Sequence, residues 1–134
     1  MNMSPETAVN IRIERESDIA AATRHARQMA LIAGFNKLTS YYIATAASEL
    51  ASNAFIHGGS GTLEVRLLPN SRGIELQASD NGPGIGDIDL AMQEGYSSVG
   101  SLGCGLPGVK RLMDELLIDS VVGKGTKVRA CKWL

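Results

Sequence analysis

A carboxylate, an amide and an imidazole recur at four-residue intervals in this sequence, at Glu49, Asn53 and His57. On a helix that spacing projects all three side chains from one face, about 6 Å apart per step at 1.5 Å rise per residue. A carboxylate and an amide one turn apart can serve one metal-bound ligand, the first as a proton acceptor and the second through its carbonyl oxygen. On spacing alone, three polar residues on a solvated helix face are the preferred account. A second candidate is Asp80-Asn81-Gly82-Pro83-Gly84-Ile85-Gly86. Its glycines tolerate positive φ and close backbone approach and its proline pins φ, so the chain turns sharply past something that a Cβ would obstruct. Residues 73–79 before it alternate apolar and polar, which puts Asp80 at a strand end with its carboxylate leaving the sheet. Taken by itself this segment favours a hairpin turn, for which Asp-Asn-Gly is good chemistry. The third candidate is Gly103-Cys104-Gly105-Leu106-Pro107-Gly108 at the start of a helix, where backbone N–H groups and the positive helix end suit a phosphate.

The elements that must hold these groups follow from periodicity. Residues 9–14 alternate strictly as a strand with one buried face. Ser17 or Asp18 is expected to cap a first helix, whose stripe is Ile19, Ala22, Ala26, Met29, Ala30 and Ala33, with Gly34 as its stop. A second helix begins near residues 36–38 and runs to Gly58-Gly59, burying Ile43, Ala46, Ala47, Leu50 and Ala54 beside the Glu49, Asn53 and His57 face. Residues 62–68 and 73–79 are two strands of an antiparallel pair. A short helix is expected over residues 87–94, then a glycine-rich mobile lid ending at a helix start. That last helix is expected to bury Val109, Leu112, Met113 and Leu116, with strands over residues 118–122 and 126–133 around Gly123-Lys124-Gly125. The order implies an α/β two-layer sandwich, a mixed β-sheet covered on one face by helices.

Composition narrows the class. The 134 residues form a single domain, 44% hydrophobic and 20% charged, with a formal net charge of −1. That charge offers no general attraction to nucleic acid or to an anionic membrane. Cys104 and Cys131 have no His or Cys at ligand spacing, which excludes a zinc site and leaves no oxidised framework. The N-terminus lacks a signal-peptide layout, and no apolar run approaches the roughly 20 residues of a spanning helix, so a cytoplasmic protein is expected.

The glycine pattern at 103–108 does not make a dinucleotide fold, because residues 95–102 are a poor strand. A P-loop is excluded because Ile118 stands where a glycine must precede Gly123 by five residues. Size and the missing catalytic-loop motif exclude an ordinary protein-kinase fold. Taken in order, Glu49-x-x-x-Asn53, Asp80-x-Gly82-x-Gly84, Gly103-x-Gly105-x-x-Gly108 and Gly123-x-Gly125-Thr126 resemble the N, G1, G2 and G3 boxes of the gyrase, Hsp90, histidine-kinase and MutL (GHKL) ATPase superfamily. Glu94-Gly95-Tyr96-Ser97-Ser98, the run from Gly105 to Glu115 and the terminal Lys132-Trp133-Leu134 resemble the stressosome switch serine/threonine kinases of the RsbT type, relatives of the anti-sigma-factor kinases.

The resemblance implies a Bergerat-type fold that uses ATP and Mg²⁺. It implies that Asp80 accepts a hydrogen bond from the adenine amino group within the Gly82 loop, with Gly84 leaving room for the base and Thr126 closing the pocket. Asn53 would hold Mg²⁺, Glu49 would be the general base, and Gly103, Gly105, Leu106 and Gly108 would wrap the phosphates. Implied partners are STAS-domain substrates and, alternatively, a PP2C-type phosphatase, with neither nucleic acid nor membrane. Two other readings compete: an anti-sigma-factor kinase, and a nucleotide-binding module with little phosphotransfer. Intact Glu49 and Asn53 argue against the latter.

Overall fold

Strict alternation in β1 (Ala8–Ile13) buries Ile13, half-buries Val9 and Ile11, and leaves Ala8, Asn10 and Arg12 in solvent. The computed structural model describes residues 7–86, 92 and 105–134. After β1 come α1 (Glu16–Ala33), α2 (Lys37–Gly58), β2 (Gly61–Leu67), a 3-10 turn (Pro69–Ser71), β3 (Gly73–Asp80), α3 (Gly105–Leu112), β4 (Glu115–Val121) and β5 (Gly125–Trp133). The short helix expected over residues 87–94, apart from Met92, and the glycine-rich lid lie outside the described residues.

The helix ends are written in local chemistry. Helix α1 starts at Glu16, and Asp18 secures it from inside the first turn: its Oδ2 accepts the N–H groups of Glu14 (2.9 Å) and Arg15 (3.1 Å). Asp18 is therefore not the residue ahead of the helix. Gly34, at φ 109°, stops α1 and returns its N–H to the Ala30 and Leu31 carbonyls. Asn36 caps α2 by accepting the Thr39 N–H at 2.8 Å. The apolar stripe expected of α2 is buried in full, and Ala22, Ala26, Met29 and Ala30 of α1 are buried as well.

The five strands lie in the order β1-β2-β3-β5-β4, and every neighbouring pair is antiparallel. The sheet is thus not mixed. Strands β3 and β4 do run in the same direction, but β5 is inserted between them and turns both contacts antiparallel. Cross-strand register sets out the helix-facing side in rows: Val9-Val65-Leu76-Ala130-Leu116, then Ile11-Leu63-Ala78-Val128-Ile118, then Ile13-Gly61-Asp80-Thr126-Ser120. The first two rows are wholly apolar and join the helix stripes in one core. The third becomes polar from Asp80 onward, so the core gives way to hydrogen-bonding groups at one end of the sheet.

The other face is mostly polar, with Arg12, Thr62, Glu64, Arg66, Glu75, Gln77, Ser79, Lys127, Arg129 and Glu115, and carries exposed Leu117, Val121 and Trp133 along β4 and the end of β5. Within it Glu75 is buried, with Arg129 Nε at 3.7 Å and the Cys131 thiol donating to its Oε2 at 3.8 Å. Burial, then the adjacent Glu75 carboxylate, pushes the Cys131 thiol up to about 11. Helix α3 is shorter than its apolar period suggests. Leu116 belongs to β4, because β5 captures the chain at Asp114: the Asp114 N–H donates to the Cys131 carbonyl, its Oδ2 accepts the Trp133 N–H, and Lys132 Nζ donates to the Leu112 carbonyl at the helix end.

Candidate functional site

Asp80 is the last residue of β3, opposite Gly61 on one side and Thr126 on the other. The end of α2 is pressed against it: a Cβ at Gly58 would collide with the Asp80 side chain, so only glycine allows this approach. Asp80 Oδ1 accepts the Gly82 N–H at 2.8 Å, which orients the carboxylate. No hydrogen bond to Oδ2 is found among the described residues, so a half-buried anionic acceptor is available at the rim of the core.

The loop that follows is held from two sides. Gly82 touches α2, since a Cβ there would lie 2.6 Å from the Gly58 Cα and 2.9 Å from the His57 carbonyl oxygen. Gly84 combines φ +79° with a Cβ position 2.5 Å from the Val121 carbonyl oxygen, and the Pro83 carbonyl accepts the Gly123 N–H at 2.7 Å. The close approach at Gly84 is thus to the β4–β5 hairpin, which explains the glycine without invoking a base. The next N–H, of Ile85, donates to Ser120 Oγ at 2.6 Å.

The α2 face grades outward. Glu49 is buried at 4% exposure, Asn53 is half-buried and His57 is exposed, so the carboxylate lies deepest and the imidazole at the rim. Helix α3 packs against α2. Gly105, Leu106, Pro107 and Gly108 are its first turn and not a loop ahead of it, and all four are buried. The N-terminal end of a helix carries the positive end of its dipole, which suits an anion, and Pro107 alone in this turn has no N–H to offer. Gly103 and Cys104 lie outside the described residues. Lys110 and Arg111 are exposed on the last turn of α3.

Thr126 faces the same way as Asp80, and its Oγ1 is 2.9 Å from Ser120 Oγ. Ser120 has no part in the sequence motifs. Its signal is nonetheless present: a hydroxyl follows Leu116 and Ile118 on the inward side of a strand, and Gly123 lies midway between it and Thr126. At this sheet end a cleft of about 210 Å³ is lined by Arg12, Glu14, Ser60, Gly61, Thr62 and Ser79 together with Asp80 and Asn81. It is smaller than the roughly 300–1,000 Å³ usual for ligand pockets. Among the described residues no three His, Cys, Asp or Glu side chains gather to hold a metal, and no helix is long and apolar enough to cross a membrane. The Asn53 amide oxygen is a hard donor of the kind Mg²⁺ takes together with phosphates and water.

The histidine kinase-like ATPase domain pattern matches residues 13–132. The chain is 44% identical over 126 residues to the serine/threonine-protein kinase RsbT of Bacillus subtilis, covering 92% of this chain and 95% of that protein. It is 35% identical over 98 residues to an anti-sigma F factor of Thermoanaerobacter, covering 69% of this chain and 68% of the relative. Among solved structures, the RsbU and RsbW domains of Rv1364c from Mycobacterium tuberculosis superpose with a TM-score of 0.68 at 16% identity. That match covers 96% of this chain and 33% of the longer one, and is a likeness of fold alone.

Proposed function

This chain belongs to the histidine kinase-like ATPase family and, within it, to the serine/threonine kinases of the RsbT type, and from that premise we propose that it transfers the ATP γ-phosphate to STAS-domain proteins of a cytoplasmic stressosome complex. The observation that carries the site assignment is the Asp80 carboxylate, held through Oδ1 by Gly82 with Oδ2 available, where the apolar rows end. Asp80 accepts the adenine amino group, and Thr126, beside it on β5, closes that end. Gly103, Gly105, Leu106 and Gly108 wrap the phosphates, and the positive end of the α3 dipole favours their charge. Asn53 would hold Mg²⁺ through its amide oxygen, and the ion would neutralise phosphate charge. Glu49, one turn deeper on α2 and buried, takes the proton of the substrate hydroxyl as general base. Its burial keeps bulk water from the proton acceptor, which favours transfer to a hydroxyl delivered by a docked protein over hydrolysis.

The anti-sigma factor reading is weaker, because that relative covers 69% of this chain against 92% for the kinase. Transfer also acts as a switch. The phosphate adds about −1.5 to −2 charge to the substrate, and an interface that faces Asp and Glu side chains of this domain then repels it. The released kinase turns to a PP2C-type phosphatase, so the two partners bind in mutual exclusion. A pull-down with unmodified and phosphorylated STAS protein, with the phosphatase as competitor, tests this. Retention of the unmodified form alone, displaced by the phosphatase, supports the switch. Equal retention of both forms, or a stable ternary complex, refutes it.

A further inference from the structure

We infer that Ser120 is a positioning residue for the adenine end of the nucleotide site, clamping the 82–86 loop to the β4–β5 hairpin and fixing the hydroxyl of Thr126. The inference rests on the reading that Asp80 and Thr126 receive adenine. Three contacts converge on the Ser120 hydroxyl: the Ile85 N–H at 2.6 Å, the Gly125 carbonyl at 3.2 Å and the Thr126 hydroxyl at 2.9 Å. A serine hydroxyl has one proton and two lone pairs. The Ile85 N–H can only donate and the Gly125 carbonyl can only accept, so the third place is filled when Thr126 donates. Ser120 is then saturated, and the Thr126 oxygen turns lone pairs to the pocket beside the Asp80 carboxylate. Two acceptors side by side suit an amino group on the ligand.

The loop is fastened to the hairpin at two points, the Pro83 carbonyl on the Gly123 N–H and the Ile85 N–H on Ser120. Gly84, between them, has no room for a side chain against Val121. Of the two fastenings only the second depends on a side chain. Removing that hydroxyl frees one end of the loop and releases the Thr126 proton to other acceptors, while Glu49 and Asn53 on α2 are untouched. Adenine binding should suffer and the transfer step should not.

The test uses the whole chain in four variants, Ser120→Ala, Ser120→Thr, Thr126→Val and the Ser120→Ala and Thr126→Val double, with Asp80→Asn as reference, read by calorimetric titration with ADP and by phosphotransfer from ATP to a STAS-domain protein. Ser120→Ala should weaken ADP binding about tenfold and raise the KM for ATP in proportion, with kcat at saturating ATP within about twofold of wild type. Ser120→Thr keeps the hydroxyl and should restore both values. The Ser120→Ala and Thr126→Val double variant should lose no more than the larger single loss, because both remove one coupled pair. Wild-type ADP affinity in Ser120→Ala, alongside lost affinity in Asp80→Asn, overturns the role of Ser120 and leaves the nucleotide site standing. A kcat that falls as far as KM rises, or no recovery in Ser120→Thr, reduces Ser120 to a structural residue. Failure of the wild-type chain to bind ADP overturns the nucleotide reading itself.

Discussion

Replacing Asp80 with Asn changes one atom at the point where adenine is assigned. The Asp80 Oδ1 already accepts the Gly82 N–H at 2.8 Å, and the introduced amide can keep its oxygen there. Its NH₂ group then occupies the place of Oδ2 and points a donor at the donor amino group of the base. What is lost is one charge-assisted hydrogen bond, about 1.5–3 kcal/mol. At 1.4 kcal/mol per decade this is roughly ten- to a hundredfold in affinity, and two facing donors push it to the upper end. The fold should persist, because Asp80 is half-buried, its turn to Gly82 survives and its position in the β3–β5 ladder depends on backbone groups. Calorimetric titration with ADP at fixed Mg²⁺, paired with a thermal melt, measures both quantities. An unchanged dissociation constant in the folded variant would refute the assignment of Asp80 to the base.

Glu49→Gln should bind ATP as wild type does while phosphotransfer falls by roughly a hundred- to ten-thousandfold, and Asn53→Ala should lessen the gain in nucleotide affinity on adding Mg²⁺; single-turnover assays and titrations with and without Mg²⁺ check the two. Gly58→Ala puts a methyl group against the Asp80 side chain and should lower ADP affinity about ten- to a hundredfold without deleting any ligand-binding group, again by titration. Cys131 holds its proton more tightly in the folded chain, at about 11 against 9.0, so its contribution to stability is constant below pH 9 and is lost as pH rises from 9 through 11. Urea midpoints of the wild type and Cys131→Ala should therefore converge across that window, and parallel curves would refute the linkage.

Features decided by neighbours in sequence were legible from the sequence. Asn36 and Gly34 bound their helices through contacts a few residues away, and the Glu49, Asn53 face was placed correctly because helical spacing needs no tertiary information. Asp80 at a strand end was legible for the same reason. Leu116 was not, since it fits both a helical period with Leu112 and Met113 and an alternating period with Ile118. The choice fell to β5, through Lys132 and Trp133, about twenty residues further on. Insertion of β5 between β3 and β4 likewise depends on non-local pairing, and it decides that the sheet is antiparallel. Ser120 and Gly58 were missed because their importance lies in what approaches them, the Ile85 N–H and the Asp80 carboxylate, and neither approach is visible until strand register is known.

Phosphotransfer itself is the direct measurement. The chain is incubated with γ-labelled ATP, Mg²⁺ and a STAS-domain protein, and the products are separated, digested and examined by mass spectrometry, with an acid wash to distinguish phosphate esters from phosphoimidazole. The expected result is acid-stable label on a serine or threonine of the STAS protein and none on this chain. Acid-labile label on an imidazole such as His57, or release of free phosphate with no protein labelled, would contradict it.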